Sequence, residues 1–392
     1  AGWGIVGQQD IFNDYAYIPN YMPSSSTASY QFGNDFVTML RPDAYDYNLQ
    51  WEKTSTTNIG LDFGFLKNRI NGAVDVYQKY TYDLLGVVPI PAGTNFSNRV
   101  LTNVGQMSNR GIEANVNFVL VSNETSSFEI GVNGALNRNK ILKLALVDDT
   151  ASPGIQVGGI SGGVGNTIQI HALNNPMFTY FGFEQRFDAN GRPIEKSTTP
   201  NLGSYSGTVD IDGDGKISDI EAYVDQNGDG VINTADLKVF RNRSPEPRTL
   251  FGLSLNFTHK RWSGGATVRA ELGQYVYNNV RSVNGNYFSV GGSQPHLTNL
   301  TSDFLESQFR TPQYLSSYYL ENASYLRLDN LYLSYNLGKL YKDRFASSLN
   351  ISMQNALVLT KYRGLDPEIA GGIDNNLYPR PRVFNIQLNV QL

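Results

Sequence analysis

The nine residues that close the chain, Phe384 to Leu392, alternate apolar and polar side chains without a break. Phe384, Ile386, Leu388 and Val390 oppose Asn385, Gln387, Asn389 and Gln391. Successive side chains on a strand point to opposite faces, so this segment predicts a ribbon with one apolar side and one uncharged polar side. The same period recurs upstream. In 58–66, Ile59, Leu61, Phe63 and Phe65 oppose Asn58, Gly60, Asp62 and Gly64; in 70–77, Ile70, Val74 and Val76 oppose Asn71, Asp75 and Tyr77. Residues 112–120 set Ile112, Val116 and Phe118 against Glu113, Asn115 and Asn117, and 128–136 and 251–258 repeat the pattern. Further strands are predicted near 177–187, 261–272, 324–335 and 348–359, about eleven or twelve in all.

The turns between these strands are of two kinds. Residues 67–69, 122–127 and 259–260 are short, whereas 10–57, 146–176, 188–247 and 278–323 are long and polar. Short turns on one rim and long loops on the other characterise an antiparallel transmembrane β-barrel. A soluble β-sandwich also alternates. Here the polar faces favour Asn, Gly, Ser and Gln over Lys and Glu. Tyrosines gather near strand ends (Tyr77, Tyr80, Tyr82, Tyr314, Tyr318, Tyr319 and Tyr325) as an interfacial girdle would. The fold class read from the chain is therefore all-β, a membrane barrel with long extracellular loops.

Composition narrows the function classes. A formal charge of -4 over 392 residues argues against a nucleic-acid partner. No apolar run reaches the length of a transmembrane helix, which leaves a barrel untouched. There is no cysteine, hence no disulfide framework or thiolate metal site. The chain opens on a strand-like segment without a visible signal peptide, as expected of a mature protein or a piece of a longer one.

One loop carries a metal-type spacing. Asp210, Asp212, Asp214, Lys216 (carbonyl), Ser218 and Glu221 match D-x-[DN]-x-[DN]-G-x5-E in full. Calcium prefers six to eight oxygens, and Gly215 permits the bend that wraps them round one ion. A second copy follows: Asp225, Asn227, Asp229, Val231 (carbonyl), Asn233 and Asp236, where Asp replaces the closing Glu and weakens the last contact. Residues 210–236 are thus expected to hold one or two Ca2+ ions that stiffen an extracellular loop. Asp/Asn/Gly turns that bind nothing are the plain alternative. His171, His259 and His296 show no metal spacing, and no nucleophile elbow, phosphate loop or dinucleotide fingerprint appears. Asp62, Asp75 and Glu113 read as polar lumen residues, and Trp3, Trp51 and Trp262 as girdle or packing groups. No enzyme is expected.

Several longer runs resemble the SusC/RagA family of TonB-dependent outer-membrane transporters. They are Leu49–Phe65 (LQWEKTSTTNIGLDFGF), Asn103–Glu113 with its N-x-G-x-x-x-N-x-G-I-E spacing, Ala323–Leu331, Tyr362–Glu368 and Tyr378–Arg382 leading into the final strand. The resemblance spans the chain and implies a multi-pass barrel of the bacterial outer membrane, of about 22 strands and plugged. It also implies a SusD-like surface lipoprotein as partner and TonB as energy source through the missing N-terminal region. The cargo it implies is oligosaccharide or oligopeptide, moved through a wall in contact with outer-membrane lipid. With about half that strand number and no plug, residues 1–392 look like the C-terminal part of such a barrel. Leu392 departs from the aromatic residue usual at that end. The competing reading is a secreted calcium-binding β-rich adhesion or docking module with dockerin-like loops; a passive porin is a third.

Overall fold

The computed structural model describes residues 1–8, 15, 17–23, 29–91, 93–144, 153–163, 165–195, 222–287, 300–340, 345–375 and 378–391. Ten strands form one antiparallel sheet: β1 (Gly2–Gln8), β2 (Glu52–Phe65), β3 (Ile70–Pro89), β4 (Arg99–Asn123) and β5 (Ser126–Lys143). It continues through β6 (Thr249–His259), β7 (Trp262–Leu272), β8 (Tyr325–Leu340), β9 (Phe345–Thr360) and β10 (Val383–Gln391). Each strand pairs with its neighbours in sequence, an up-and-down meander. The sheet is not closed: among the described residues β1 and β10 each pair on one side only.

The register shows why the alternation matters. Residues directly opposite in an antiparallel pair share a face. One row runs Ile59–Val76–Ile112–Leu136, and another runs Phe63–Gly72–Val116–Val132–Leu253–Val268–Leu328–Leu357. This apolar face is open: Leu61 is 67% exposed, Ile59 62% and Ile386 77%. In water such a surface would drive association, whereas in hydrocarbon it is the favourable side. On β5 the apolar face runs from Phe128 to Leu136, about 26 Å along the strand at roughly 3.3 Å per residue. A tilt of ~40° brings that to about 20 Å of membrane height.

The opposite face is the lumen wall. Asn71, Asn117, Gly131 and Ser254 form one row, and Ala73, Asn115, Asn133, Gly252 and Arg269 another. Amides accept and donate without net charge, so they keep the wall wet without adding charge. Gly111 is one position where a side chain cannot stand: a Cβ there would lie 2.5 Å from both the Leu136 carbonyl oxygen and the Tyr77 hydroxyl. That explains why glycine occupies the place before Ile112 in the Asn103–Glu113 run.

The structure corrects some of these expectations. The segment 177–187 is not a wall strand. Thr179–Gly182 instead joins Ile155–Gly159, Thr167–His171 and Lys238–Val239 in a separate four-stranded sheet. The wall thus has ten strands among the described residues. The strands β3 and β4, at 20 and 25 residues, also exceed the 9–11 that cross a bilayer, so the wall rises past the membrane on the long-loop side. The tyrosines divide. Tyr80 and Tyr82 point outward near the upper rim with rings 6.3 Å apart. Tyr77 faces the lumen, and Tyr319 and Tyr325 are buried. At the short-turn rim Trp262 and Tyr335 pack at 4.6 Å as the lower girdle.

Most of the buried core lies in the long loops, with a smaller cluster of Val88, Val100 and Val104 at the upper ends of β3 and β4. Ile160, Ile168, Tyr180, Phe240, Tyr277, Phe309, Tyr319 and Leu320 pack together, joined by the strand pair Tyr275–Tyr277 and Leu320–Asn322. Tyr180 Oη lies 2.7 Å from the carbonyl oxygens of both Tyr275 and Gly372, tying three loop segments. The long loops therefore form a packed body at one rim.

Candidate functional site

The loop body meets the lumen wall at a network of ions. Arg327 on β8 is 1% exposed, and its Nη2 donates to Asp366 Oδ1 at 2.6 Å while Nη1 donates to Asn355 Oδ1 at 2.8 Å. Arg269 on β7 reaches Asp329 at 3.2 Å, Glu271 at 3.1 Å and Glu368 at 2.9 Å. Arg380 closes the set on Glu368 at 2.7 Å. Burial disfavours the Glu368 carboxylate, yet the hydrogen bonds from Arg269 and Arg380 outweigh it and hold its pKa below the usual carboxylate range. Runs 323–331, 362–368 and 378–382 are separate in the chain and converge here. Together these three resembling segments dock the last long loop against the wall.

The first two runs are clasped in the same way at the other side. Asn103 Oδ1 accepts from the Gln50 amide at 2.8 Å, while its Nδ2 donates to the Gln50 carbonyl at 2.9 Å and the Asp83 carbonyl at 2.6 Å. Glu52 Oε1 accepts from the Leu85 amide at 2.9 Å. Both upper corners of the wall are thus pinned by side chains from these runs.

A second buried charge set lies inside the loop body. Arg281, 5% exposed on the short helix Asn279–Asn284, pairs with Asp303 and Glu321. Its guanidinium lies 5.1 Å from the Tyr318 ring centre and 5.6 Å from that of Tyr319. Burial, with Asp303 beside it, pushes the Tyr318 phenol well up, so it stays protonated and donates to Asp303 Oδ1 at 2.9 Å. A cavity of about 240 Å³ opens beside Arg281, Asp303 and Arg363.

The first acidic loop, with Asp210, Asp212, Asp214, Lys216, Ser218 and Glu221, lies outside the described residues, as do His296 and Leu392. The second is described and wound. Gly228 and Gly230, with φ of 76° and 81°, take left-handed conformations that an L side chain rarely adopts. Their amides donate to the two Asp225 oxygens at 2.7 and 2.9 Å. These bonds, the one from Gly230 foremost, outweigh the burial penalty and hold Asp225 below the usual carboxylate range. Asn227 accepts from the Asp229 amide, and Asp229 from that of Val231. Asp236 is fully buried and accepts from Gln226 and Asn233 amides at 2.9 and 2.8 Å. These carboxylate and amide oxygens are a donor set of the kind an oxygen-loving cation takes. Among the described residues no three Asp, Glu or His side chains converge as a preformed metal cluster.

The lumen acids stand where the alternation puts them. Asp75 and Glu113 are directly opposed on β3 and β4, and Asn58 Nδ2 donates to Asp75 Oδ1 at 3.1 Å. His171 is half-buried against Phe178, where burial pushes its pKa down; His259 Nδ1 lies 2.8 Å from Ser126 Oγ. Sequence spacing could not foresee Arg281 or the Arg269–Glu368 pair, whose partners lie 40 and 99 residues away.

Removing one member of a buried ion pair strands the other. Asp366→Ala in the full-length protein is expected to cost about 3 kcal/mol, and Arg327→Met with Asp366→Leu to restore most of it. Thermal unfolding checks this; a single variant as stable as the parent contradicts it.

The chain matches the family described as TonB dependent receptor-like, beta-barrel over residues 10–356. It is 34% identical over 397 residues to the TonB-dependent receptor SusC of Bacteroides thetaiotaomicron, covering all of this chain and 37% of that protein. The TonB-dependent receptor P3 of Formosa agariphila is 27% identical, with 39% of its length covered. Among solved structures, the RagAB peptide transporter superposes with a TM-score of 0.72 at 24% identity, over 99% of this chain and 40% of that one. The chain therefore spans about two-fifths of the length of these relatives. With an open apolar band, an amide-lined lumen and a match to such barrels along the whole of this chain, the chain belongs to the TonB-dependent receptor β-barrel family and is an outer-membrane protein.

Proposed function

We propose that the chain supplies the C-terminal wall and mouth of an importer that moves oligomeric substrates, glycans or oligopeptides, across the outer membrane. In this reading TonB drives transport through an N-terminal region beyond this chain, and a SusD-like lipoprotein covers the mouth. The observation that carries it is the lumen face. Its Asn rows and opposed acids offer dispersed hydrogen bonds to a polar oligomer, while the ion network fixes the packed loops above the opening. Dispersed weak contacts let cargo bind without being trapped. The relative with 34% identity is a SusC, and the RagAB structure is that of a peptide transporter; both cargo classes suit an amide-lined wall.

The native protein extracted from outer membranes in mild detergent should bring down a plug-bearing N-terminal region and a SusD-like lipoprotein, identified by mass spectrometry, with oligomer bound. A water-soluble chain recovered alone contradicts the reading and favours the secreted docking module.

We further propose that the loops at 210–221 and 225–236 hold calcium and stiffen the mouth. The wound second loop, with its two left-handed glycines and inward Asp225 and Asp236, supports this. Calcium at about 1 mM should slow proteolysis between residues 188 and 247 of the full-length protein. Asp225→Ala should lower bound calcium by about one ion per chain, read by elemental analysis. Equal proteolysis with calcium and with chelator overturns it.

A further inference from the structure

Above the apolar band, three neighbouring wall strands change character on their outward face. Directly over the Val76–Ile112–Leu136 row lies Gln78–Arg110–Arg138, and over that Tyr80–Ser108–Lys140. Arg110, Arg138 and Lys140 are exposed, and among the described residues none of their side chains makes an ion pair or hydrogen bond. They line one concavity of about 600 Å³, bounded on its far side by the loop around Arg248. One acid shares it, Glu246, which accepts from the Asn139 side-chain amide and whose pKa burial raises.

Height identifies the occupant. Each two-residue step along a strand rises about 6.6 Å, or about 5 Å along the membrane normal at a ~40° tilt. Arg110 and Arg138 thus sit about 5 Å beyond the hydrocarbon edge and Lys140 about 10 Å, within the headgroup layer. Trp3 stands on the Arg110 row, with Nε1 donating to Ser55 Oγ at 3.2 Å, and Tyr80 on the Lys140 row. Indole and phenol at this level mark the interface. The rim is that of the long loops, so the layer is the outer leaflet. A ligand here meets cations and hydroxyls above and bare apolar side chains immediately below, with Val76 at 49%, Ile112 at 46% and Leu136 at 52% exposure. A free anion would use only the upper half. A phosphorylated lipid uses both.

We propose that Arg110, Arg138 and Lys140 form a site on the outer wall of the barrel for the phosphorylated headgroup of an outer-leaflet lipid. Gln78 and Ser108 are positioned to donate to the same headgroup, and the acyl chains lie along the Val76–Ile112–Leu136 row. The three cations stand on the outward face of the strands, so their occupant is a bound lipid and not cargo.

The test uses the full-length transporter in non-ionic detergent, titrated with phosphorylated lipid A, with the same lipid after phosphatase treatment, and with inorganic phosphate, all read by native mass spectrometry. The phosphorylated lipid should bind at least about tenfold more tightly than its dephosphorylated form. The triple variant Arg110→Gln, Arg138→Gln, Lys140→Gln should lose that preference, while Arg110→Lys, Arg138→Lys, Lys140→Arg should keep it. Equal binding of the two lipid forms by the parent protein overturns the proposal, whatever the variants do. So does a triple-glutamine variant that retains the preference, or inorganic phosphate that competes at concentrations matching the lipid, which would make this a bare anion site. Cargo uptake plays no part in the readout, so a wrong assignment of cargo would leave the result intact.

Discussion

Hydrocarbon offers no hydrogen bonds, and that single constraint shapes this chain. Every backbone N–H and C=O at membrane depth must find a partner in the protein, at a cost of several kcal/mol for each one left bare. A sheet meets the demand only by pairing each strand on both sides. The ten-strand meander does this for its eight inner strands, while among the described residues β1 and β10 each present one open edge. Strands beyond the ten must therefore complete the ring in the membrane. The match to two-fifths of longer relatives agrees with that need.

The same solvent inverts the usual placement of apolar groups. Wall side chains such as Ile59, Leu61 and Ile386 stand open, and the conventional buried core is found in the loop body around Tyr180, Tyr277 and Phe309. Two solvents thus act on one chain. Lipid stabilises the wall from outside, and water drives the loops to pack on themselves. The two parts are joined where they meet, by Arg327 on Asp366, Arg269 on Glu368 and the Asn103 clasp on Gln50. Charges suit this junction because it lies off the lipid face and partners are at hand to satisfy them.

Strand alternation made the wall legible from sequence. Strands throughout the sheet carry it, since a period of two survives whichever apolar medium lies on the greasy side. For the same reason 177–187 misled. Thr179–Gly182 is buried on both faces in the loop body, and an apolar strand looks alike against lipid or against a core. Tyr318 and Tyr319 misled in the same way, because a tyrosine near a strand end fits either a girdle or a buried hydroxyl network. The ion pairs were invisible for a different reason. Most of their partners are separated by long stretches of loop, and the distance along such loops says nothing about which charges meet. The wound second acidic loop was legible because its spacing is local: Asp225, Gly228 and Gly230 meet within one turn.

One face of the sheet meets lipid and the other meets water, and β10 is the simplest strand on which to measure that division. The chain has no cysteine of its own. Single cysteines placed along residues 384–391 of the full-length protein in outer membranes can be reacted with a membrane-impermeant maleimide, before and after the bilayer is dissolved. Asn385→Cys, Gln387→Cys and Asn389→Cys should label in intact membranes opened from the periplasmic side, with Phe384→Cys, Ile386→Cys and Leu388→Cys reacting only once lipid is removed. Labelling that is uniform along the strand, or indifferent to lipid, would contradict a two-faced wall.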